Sequence, residues 1–120
     1  MVGAWLSLAL SLVHGILSAV AYGGSTPRIP ISDPFVRWEL LDMEVCFTVL
    51  AATTSILAIR TRTSAPQLAL AVLWAADAGF MLLQPMPLPD GVAWIRVPVI
   101  AALALLAWAC WRGARAAPTG

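Results

Sequence analysis

Long stretches without charged residues alternate with short polar connections along this chain. Val2–Tyr22 spans 21 residues without Asp, Glu, Lys or Arg, and residues 65–86 form a stretch of 22 with Asp77 as its one charged residue. Two shorter stretches, 45–59 and 97–111, hold 15 residues each and lengthen once their flanks join them. A helix needs about 20 largely apolar residues to cross ~30 Å of hydrocarbon. The pattern therefore predicts an all-α integral membrane bundle of four transmembrane helices.

Capping residues and prolines mark the expected helix ends. The Gly- and Pro-containing segment 23–27 ends the first helix, and Asp33 followed by Pro34 is typical of a helix start. Residues 64–67 fit the S-x-x-Q capping box that opens a third helix. The prolines of segment 85–89 end that helix, and Asp90 is placed to cap the fourth. We expect one transmembrane domain over residues 1–120, with helices at about 2–22, 34–60, 65–85 and 91–112.

Composition supports a membrane protein and argues against several other classes. The chain is 61% hydrophobic and 11% charged, with a mean hydropathy of +0.88. Soluble domains carry about 25% charged residues. The net charge of +1 does not favour a nucleic-acid partner, so we expect the lipid bilayer and other membrane subunits, or further copies of the chain, as partners. No motif indicates a cofactor, and we do not expect an enzyme.

Arginine placement orients the predicted bundle. Arg60 and Arg62 lie between the second and third helices and Arg112 and Arg115 follow the fourth, without acidic residues nearby. The positive-inside rule then predicts that both termini are cytoplasmic, in a multi-pass protein of the cell inner (plasma) membrane. The small residues at 19–21 resemble a signal-peptide cleavage site, but no basic residue precedes the apolar stretch. We expect the first stretch to be retained as a helix.

Two stripes of small and polar residues repeat at helical spacing. They consist of Ala4, Ser7, Ser11, His14 and Ser18 in the first helix and Glu44, Thr48, Ala51, Ser55, Ala58 and Arg62 in the second. Alternating steps of three and four place each set on one helix face, where small side chains allow close packing in lipid. We interpret the stripes as the bundle interior or an oligomer interface. The alternative is that they line a polar passage.

Asp77 and His14 are the two residues that could carry chemistry within the membrane. A carboxylate near the middle of a transmembrane helix is costly, and a histidine titrates near neutral pH. With both termini inside, the two residues lie at similar depth, and we predict that they face each other. They then form either a buried pair that sets helix register or an ion or proton relay. A third alternative is that they do not meet, and that Asp77 faces another subunit or water.

Acidic residues also gather where the second helix enters the membrane. Glu39, Asp42 and Glu44 form a predicted outer-mouth acidic cluster that would attract cations. Met43 and Cys46 add sulfur ligands of the kind that Cu(I) prefers. The simpler interpretation is a polar helix start stabilised by the helix dipole, and we favour it. We therefore predict no metal site here.

The remaining chemistry is sparse. Cys46 and Cys110 are expected near opposite membrane faces, too far apart for a disulfide. We assign no catalytic residues and no cofactor, because the single histidine, His14, has no nucleophile motif around it and cannot supply both ligands of a bis-histidine haem.

Two classes of function fit these observations. The first is a non-enzymatic accessory or structural subunit of a larger membrane complex, or a homo-oligomer. The second is a small proton- or cation-coupled transporter or channel that uses Asp77 and His14. A membrane-lesion protein of the phage-holin kind and an enzyme are further alternatives. In length and span number the chain is similar to small multidrug exporters, but their acidic residue lies in the first helix, so their site does not carry over.

Overall fold

Four helices make up the described part of the chain. The computed structural model describes residues 1–22, 34–83, 94 and 96–119, and for residues 21, 22 and 34–41 it describes the backbone alone. The helices are α1 (Val2–Tyr22), α2 (Pro34–Thr61), α3 (Ser64–Leu83) and α4 (Arg96–Ala116). Each contains a segment that is long and apolar enough to cross a membrane. The described part of the chain is therefore all-helical, with four potential membrane spans.

The helix ends differ most from expectation in α4. This helix begins at Arg96 and continues to Ala116, whereas we expected about 91–112. Pro98 lies in its first turn, where the missing amide hydrogen removes no helical hydrogen bond. The capping roles expected for Asp33 and Asp90, and the breaks at 23–27 and 85–89, lie outside the described residues.

Contacts at the helix ends define the direction of the bundle. The amide of Ser64 donates to the carbonyl oxygen of Pro118 at 2.9 Å, and Gly3 lies against the backbone of Cys110. Both ends of the described chain and the α2–α3 connection therefore lie together, at what we call the terminal end. The opposite end of the bundle is called the far end. Helix α1 packs mainly on α2 and α3 mainly on α4, while contacts of α2 with α3 and of α1 with α4 close the ring.

Small residues fill the interior, and large apolar residues point outward. The buried apolar residues of α1 and α2 are Ala4, Ala51 and Ala58, and the buried polar residues of these two helices are Ser7, Ser11, Ser18 and Ser55. The two predicted stripes therefore face the bundle interior, although His14, Glu44 and Thr48 are only partly buried and Arg62 is exposed. Most leucines, isoleucines and valines of α1 and α2 lie on the outside, as expected for helices that contact lipid.

A two-residue turn sets α2 against α3. Arg62 adopts φ 54°, and its amide donates to the carbonyl oxygen of Ala58 at 3.0 Å. A left-handed residue after the last turn is a common way to end a helix, although glycine usually supplies it. Because Ser64 already begins α3, the chain reverses at once and the two helices stay neighbours.

Candidate functional site

An ion pair joins α1 to α2 in the half of the bundle nearest the far end. The Nε2 atom of His14 contacts the Oε2 atom of Glu44, and the hydroxyl of Ser18 donates to the same oxygen at 3.3 Å. The side chains of His14 and Glu44 are 24% and 15% exposed, respectively. A largely buried pair of this kind cross-links the two helices where little hydrophobic force holds helices together in lipid.

Local packing brings the two partners within reach. Gly15 lies against Thr48, because a Cβ atom added at Gly15 would lie 2.7 Å from the Thr48 Cγ2 methyl. The Thr48 hydroxyl donates a hydrogen bond to the carbonyl oxygen of Glu44 at 2.8 Å, so its hydrogen-bond partner lies within α2 itself. The absence of a side chain at Gly15 therefore lets α1 approach α2 beside His14.

Asp77 of α3 completes a group of three titratable side chains. It is 9% exposed, and its buried Oδ2 atom has no hydrogen-bond partner among the described residues. Asp77 and Glu44 together line two cavities, one of about 170 Å³ and one of about 260 Å³. The smaller cavity also contacts His14 and Ser18 of α1, and the larger one contacts Phe47 of α2. We call His14, Glu44 and Asp77 the charged cluster.

Aromatic rings close the charged cluster toward the terminal end. The Phe47 ring lies 5.5 Å from the His14 ring and 5.3 Å from the Trp74 ring, with an edge-to-face angle of 76° to the latter. The Trp74 indole Nε1 donates to the Ser7 hydroxyl at 2.7 Å, and Ser7 is hydrogen-bonded to Ser55 at 2.9 Å. Trp74, Ser7 and Ser55 are all fully buried. We call Phe47, Trp74, Ser7 and Ser55 the closed layer.

The charges of the cluster do not balance when all three groups are ionised. A protonated His14 neutralises Glu44, and no other described residue supplies a compensating charge for the carboxylate of Asp77. An uncompensated buried charge is costly, and the cost is greatest within the hydrocarbon region. One proton on Asp77, or one monovalent cation in a cavity beside it, restores neutrality. The arrangement is therefore suited to binding a single positive charge.

The structure gives His14 a different direct partner from the one we predicted. Asp77 and His14 do line the same cavity, but the ion pair of His14 is with Glu44. The acidic cluster expected from Glu39, Asp42 and Glu44 is divided, because Glu44 turns into the bundle while Asp42 is exposed. The side chain of Glu39 lies outside the described part of the chain.

The sulfur-containing residues near Asp42 lie on the surface of α2. Met43 and Cys46 are both exposed. Across the described ranges, no three His, Cys, Asp or Glu side chains converge closely enough to hold a metal ion. The relay role of Asp77 and His14 stays a prediction.

Sequence reasoning missed the role of Glu44 in the ion pair and the role of Trp74. The signal for Glu44 was present, since it begins the same stripe as Thr48 and Ser55, which faces the α1 stripe that contains His14. For Trp74 the signal was weaker. It lies on the buried face of α3 with Gln67, Leu70 and Asp77, at steps of three, four and three.

Comparisons with known proteins supply no relative for this chain. No family model matches it, and neither a curated protein nor a solved structure shows significant similarity to it. Four apolar helices are compatible with a small multi-pass membrane protein. Any more specific role has to be argued from the geometry of the charged cluster.

Proposed function

We propose that this protein is a small, non-enzymatic membrane protein that moves protons or small monovalent cations through the charged cluster. The observation that carries the proposal is the buried Oδ2 atom of Asp77: it has no hydrogen-bond partner in the described part of the chain, although Asp77 lines two cavities. A residue kept only for packing would not need a carboxylate here, since a neutral side chain would avoid the cost of burying charge. Ionisable residues within membrane spans are accordingly functional more often than structural.

Each residue of the charged cluster would have a different role. His14 and Ser18 hold Glu44 in place, so the charge of Glu44 is compensated and its orientation is constrained. Asp77 is the group that gains and loses the positive charge, because Oδ2 is free to accept a proton from a cavity. His14 could also release the proton that it shares with Glu44, and it would then be a second proton-binding site.

Passage to the terminal end would require the closed layer to open. In the described conformation, the Trp74–Ser7 hydrogen bond and the edge-to-face contact of Phe47 with Trp74 block that direction. Rotation of the Trp74 side chain would break both contacts. Such a step would make the protein an alternating-access device rather than a permanently open pore.

The proposal is tested with the purified full-length protein in liposomes that contain a pH-sensitive dye. A membrane potential is imposed, and proton entry is recorded for the wild type, Asp77→Asn and Asp42→Asn. Asp42 is the matched control because it is an exposed carboxylate of α2 outside the charged cluster. We expect the wild type and Asp42→Asn to carry protons, and Asp77→Asn to fall to the level of protein-free liposomes.

Folding stability distinguishes this role from a purely structural one. Asp77→Asn replaces a buried unsatisfied carboxylate by a neutral group of the same shape, so we expect the free energy of unfolding to stay constant or to rise by about 1–3 kcal/mol. Unchanged proton entry in Asp77→Asn would refute the relay. If only sodium or potassium supports a current, the cation alternative holds instead of the proton one.

A second candidate function is an accessory subunit or a homo-oligomer. The observation in its favour is that only 17% of the residues in the apolar span of α2 are buried within the chain, the lowest share of the four spans. Val49, Ile56 and Leu57 are among the exposed residues of α2. In this role no version of the purified chain would carry protons, and any effect of Asp77→Asn would be confined to stability.

A further inference from the structure

Two arginines at the terminal end each stack on a tryptophan of the same helix. The Arg112 guanidinium lies 5.0 Å from the centroid of the Trp108 ring, and the Arg115 guanidinium lies 5.0 Å from that of Trp111. Together with Ala116, these four residues line an open cavity of about 420 Å³ that we call the basic cradle. Among the described residues, no carboxylate forms an ion pair with either arginine.

Two apolar grooves adjoin the basic cradle. The α3–α4 groove, of about 310 Å³, shares Trp108 and Trp111 with the cradle and continues along Leu68, Val72 and Ala75 of α3. The α1–α4 groove, of about 540 Å³, also touches Trp108 and continues along Leu6, Leu10 and Val13 of α1. Each groove follows about two helical turns, or ~10 Å, away from the terminal end. Trp108 therefore separates two apolar tracks that start at one basic cavity.

We propose that the basic cradle and the two grooves form a binding site for one anionic phospholipid. The phosphate lies between Arg112 and Arg115, and one acyl chain follows each groove on either side of Trp108. Guanidinium groups match phosphate oxygens in geometry and charge, and stacking on the indole rings holds them in position. Tryptophans near helix ends commonly lie at the level of lipid headgroups, which is where a phosphate would be found.

The charge distribution favours an anionic lipid over the other occupants. A zwitterionic headgroup would bring its own ammonium group toward two guanidiniums. A second copy of the chain would need an acidic side chain at the terminal end, but the described residues there include Arg60 and Arg62 and no Asp or Glu. Basic residues beside a membrane attract anionic lipids with about 1 kcal/mol each.

Native mass spectrometry of the full-length protein in a mild detergent tests this site. The probes are phosphatidylglycerol and phosphatidylcholine with the same acyl chains. We expect one tightly retained phosphatidylglycerol and a much weaker phosphatidylcholine adduct. Arg112→Gln with Arg115→Gln should weaken phosphatidylglycerol binding about 30-fold, or roughly fivefold for each arginine. Phosphatidylglycerol with brominated chains should also quench the fluorescence of Trp108 and Trp111.

The matched control is Arg60→Gln with Arg62→Gln, which removes the same charge from the same end without touching a tryptophan. This variant should retain its lipid. Equal losses in both double variants would overturn the proposal in favour of diffuse attraction, and so would equal binding of the two lipids by the wild type. A lipid-free dimer whose Trp108 and Trp111 are protected from brominated lipid would also overturn it. If the Arg112 and Arg115 variant fails to fold, the preference of the wild type between phosphatidylglycerol and phosphatidylcholine still tests the proposal.

Discussion

Single polar side chains inside the bundle are satisfied at some depths and left unsatisfied at others. The indole of Trp74 and the hydroxyls of Ser7 and Ser55 are hydrogen-bonded to one another, although all three side chains are fully buried. Asp77, one turn further along α3, has an unpartnered oxygen. The contrast matters because an unsatisfied buried group costs more free energy than a satisfied one contributes. Trp74 thus stabilises the bundle, whereas Asp77 does not.

Replacement of Trp74 by phenylalanine tests this assignment. Trp74→Phe removes the donor to Ser7 and leaves a gap beside Phe47, so we expect the free energy of unfolding to fall by about 1–3 kcal/mol. Denaturation in detergent, followed by circular dichroism, measures the change. Trp5→Phe is the control, because Trp5 is 57% exposed. A loss of the same size in Trp5→Phe would show that the loss in Trp74→Phe does not come specifically from the hydrogen bond to Ser7.

Glycine residues set how closely neighbouring helices approach each other. Gly15 of α1 meets Thr48 of α2, and Gly3 of α1 meets the backbone of Cys110 in α4. In contrast, a Cβ atom at Gly79 of α3 would meet nothing within 4 Å. Glycine therefore allows close contact on two faces of α1, which is the role expected of small residues between helices in lipid.

Gly15→Ala is expected to separate α1 from α2 at the level of the ion pair. The new methyl would overlap the Thr48 methyl, so we expect a loss of about 1–3 kcal/mol of stability in the same detergent assay. Adding Thr48→Ser removes the overlapping methyl and should restore much of that loss. Gly79→Ala should be neutral or slightly stabilising, since alanine favours helices by about 1 kcal/mol over glycine. A Gly15→Ala protein as stable as wild type would contradict the close contact.

The whole molecule carries its charge unevenly along the bundle. Arg60, Arg62, Arg112 and Arg115 are exposed at the terminal end, whereas Asp42, Glu44 and Asp77 belong to the other half. At the far end, the Arg96 guanidinium donates a hydrogen bond to the carbonyl oxygen of Met81 at 2.7 Å. An excess of basic residues marks the cytoplasmic side of a membrane protein.

We therefore predict that the terminal end faces the cytoplasm of the cell. In a Cys46→Ala background, cysteine is introduced by Thr61→Cys at the terminal end or by Asp42→Cys at the far end; both positions are exposed, and Cys110 is buried. A membrane-impermeant maleimide added to intact cells should label position 42 and leave position 61 unlabelled until the membrane is opened. Labelling of position 61 in intact cells would reverse the orientation and move the basic cradle to the outer leaflet.

Much of the helical arrangement could be anticipated because lipid imposes strong constraints on sequence. Every backbone polar group in hydrocarbon must be satisfied within a helix, so long apolar stretches become helices almost regardless of detail. Residue spacing then identified the inward face of α1, including Ser7 and Ser11. The start of α4 was harder to place, because residues 85–98 contain several prolines, each of which is compatible with an irregular segment or a first helical turn.

The sequence could not predict which side chains of different helices pair with each other. Helical spacing places Glu44 on a packing face but does not state which helix lies opposite, nor the register of the two. That depends on the contact of Gly15 with Thr48, which brings α1 close to α2, and on the tight turn at Arg62, which keeps α3 beside α2.

The sequence by itself determined that the chain forms four apolar helices and that each helix has an inward face, because both properties follow from local spacing and from the cost of exposing polar groups to lipid. Only the tertiary structure decided that His14 pairs with Glu44 and that Asp77 lies beside them with its Oδ2 atom unpartnered among the described residues. Those contacts join residues 30 or more positions apart, and they depend on helix register to within a single turn.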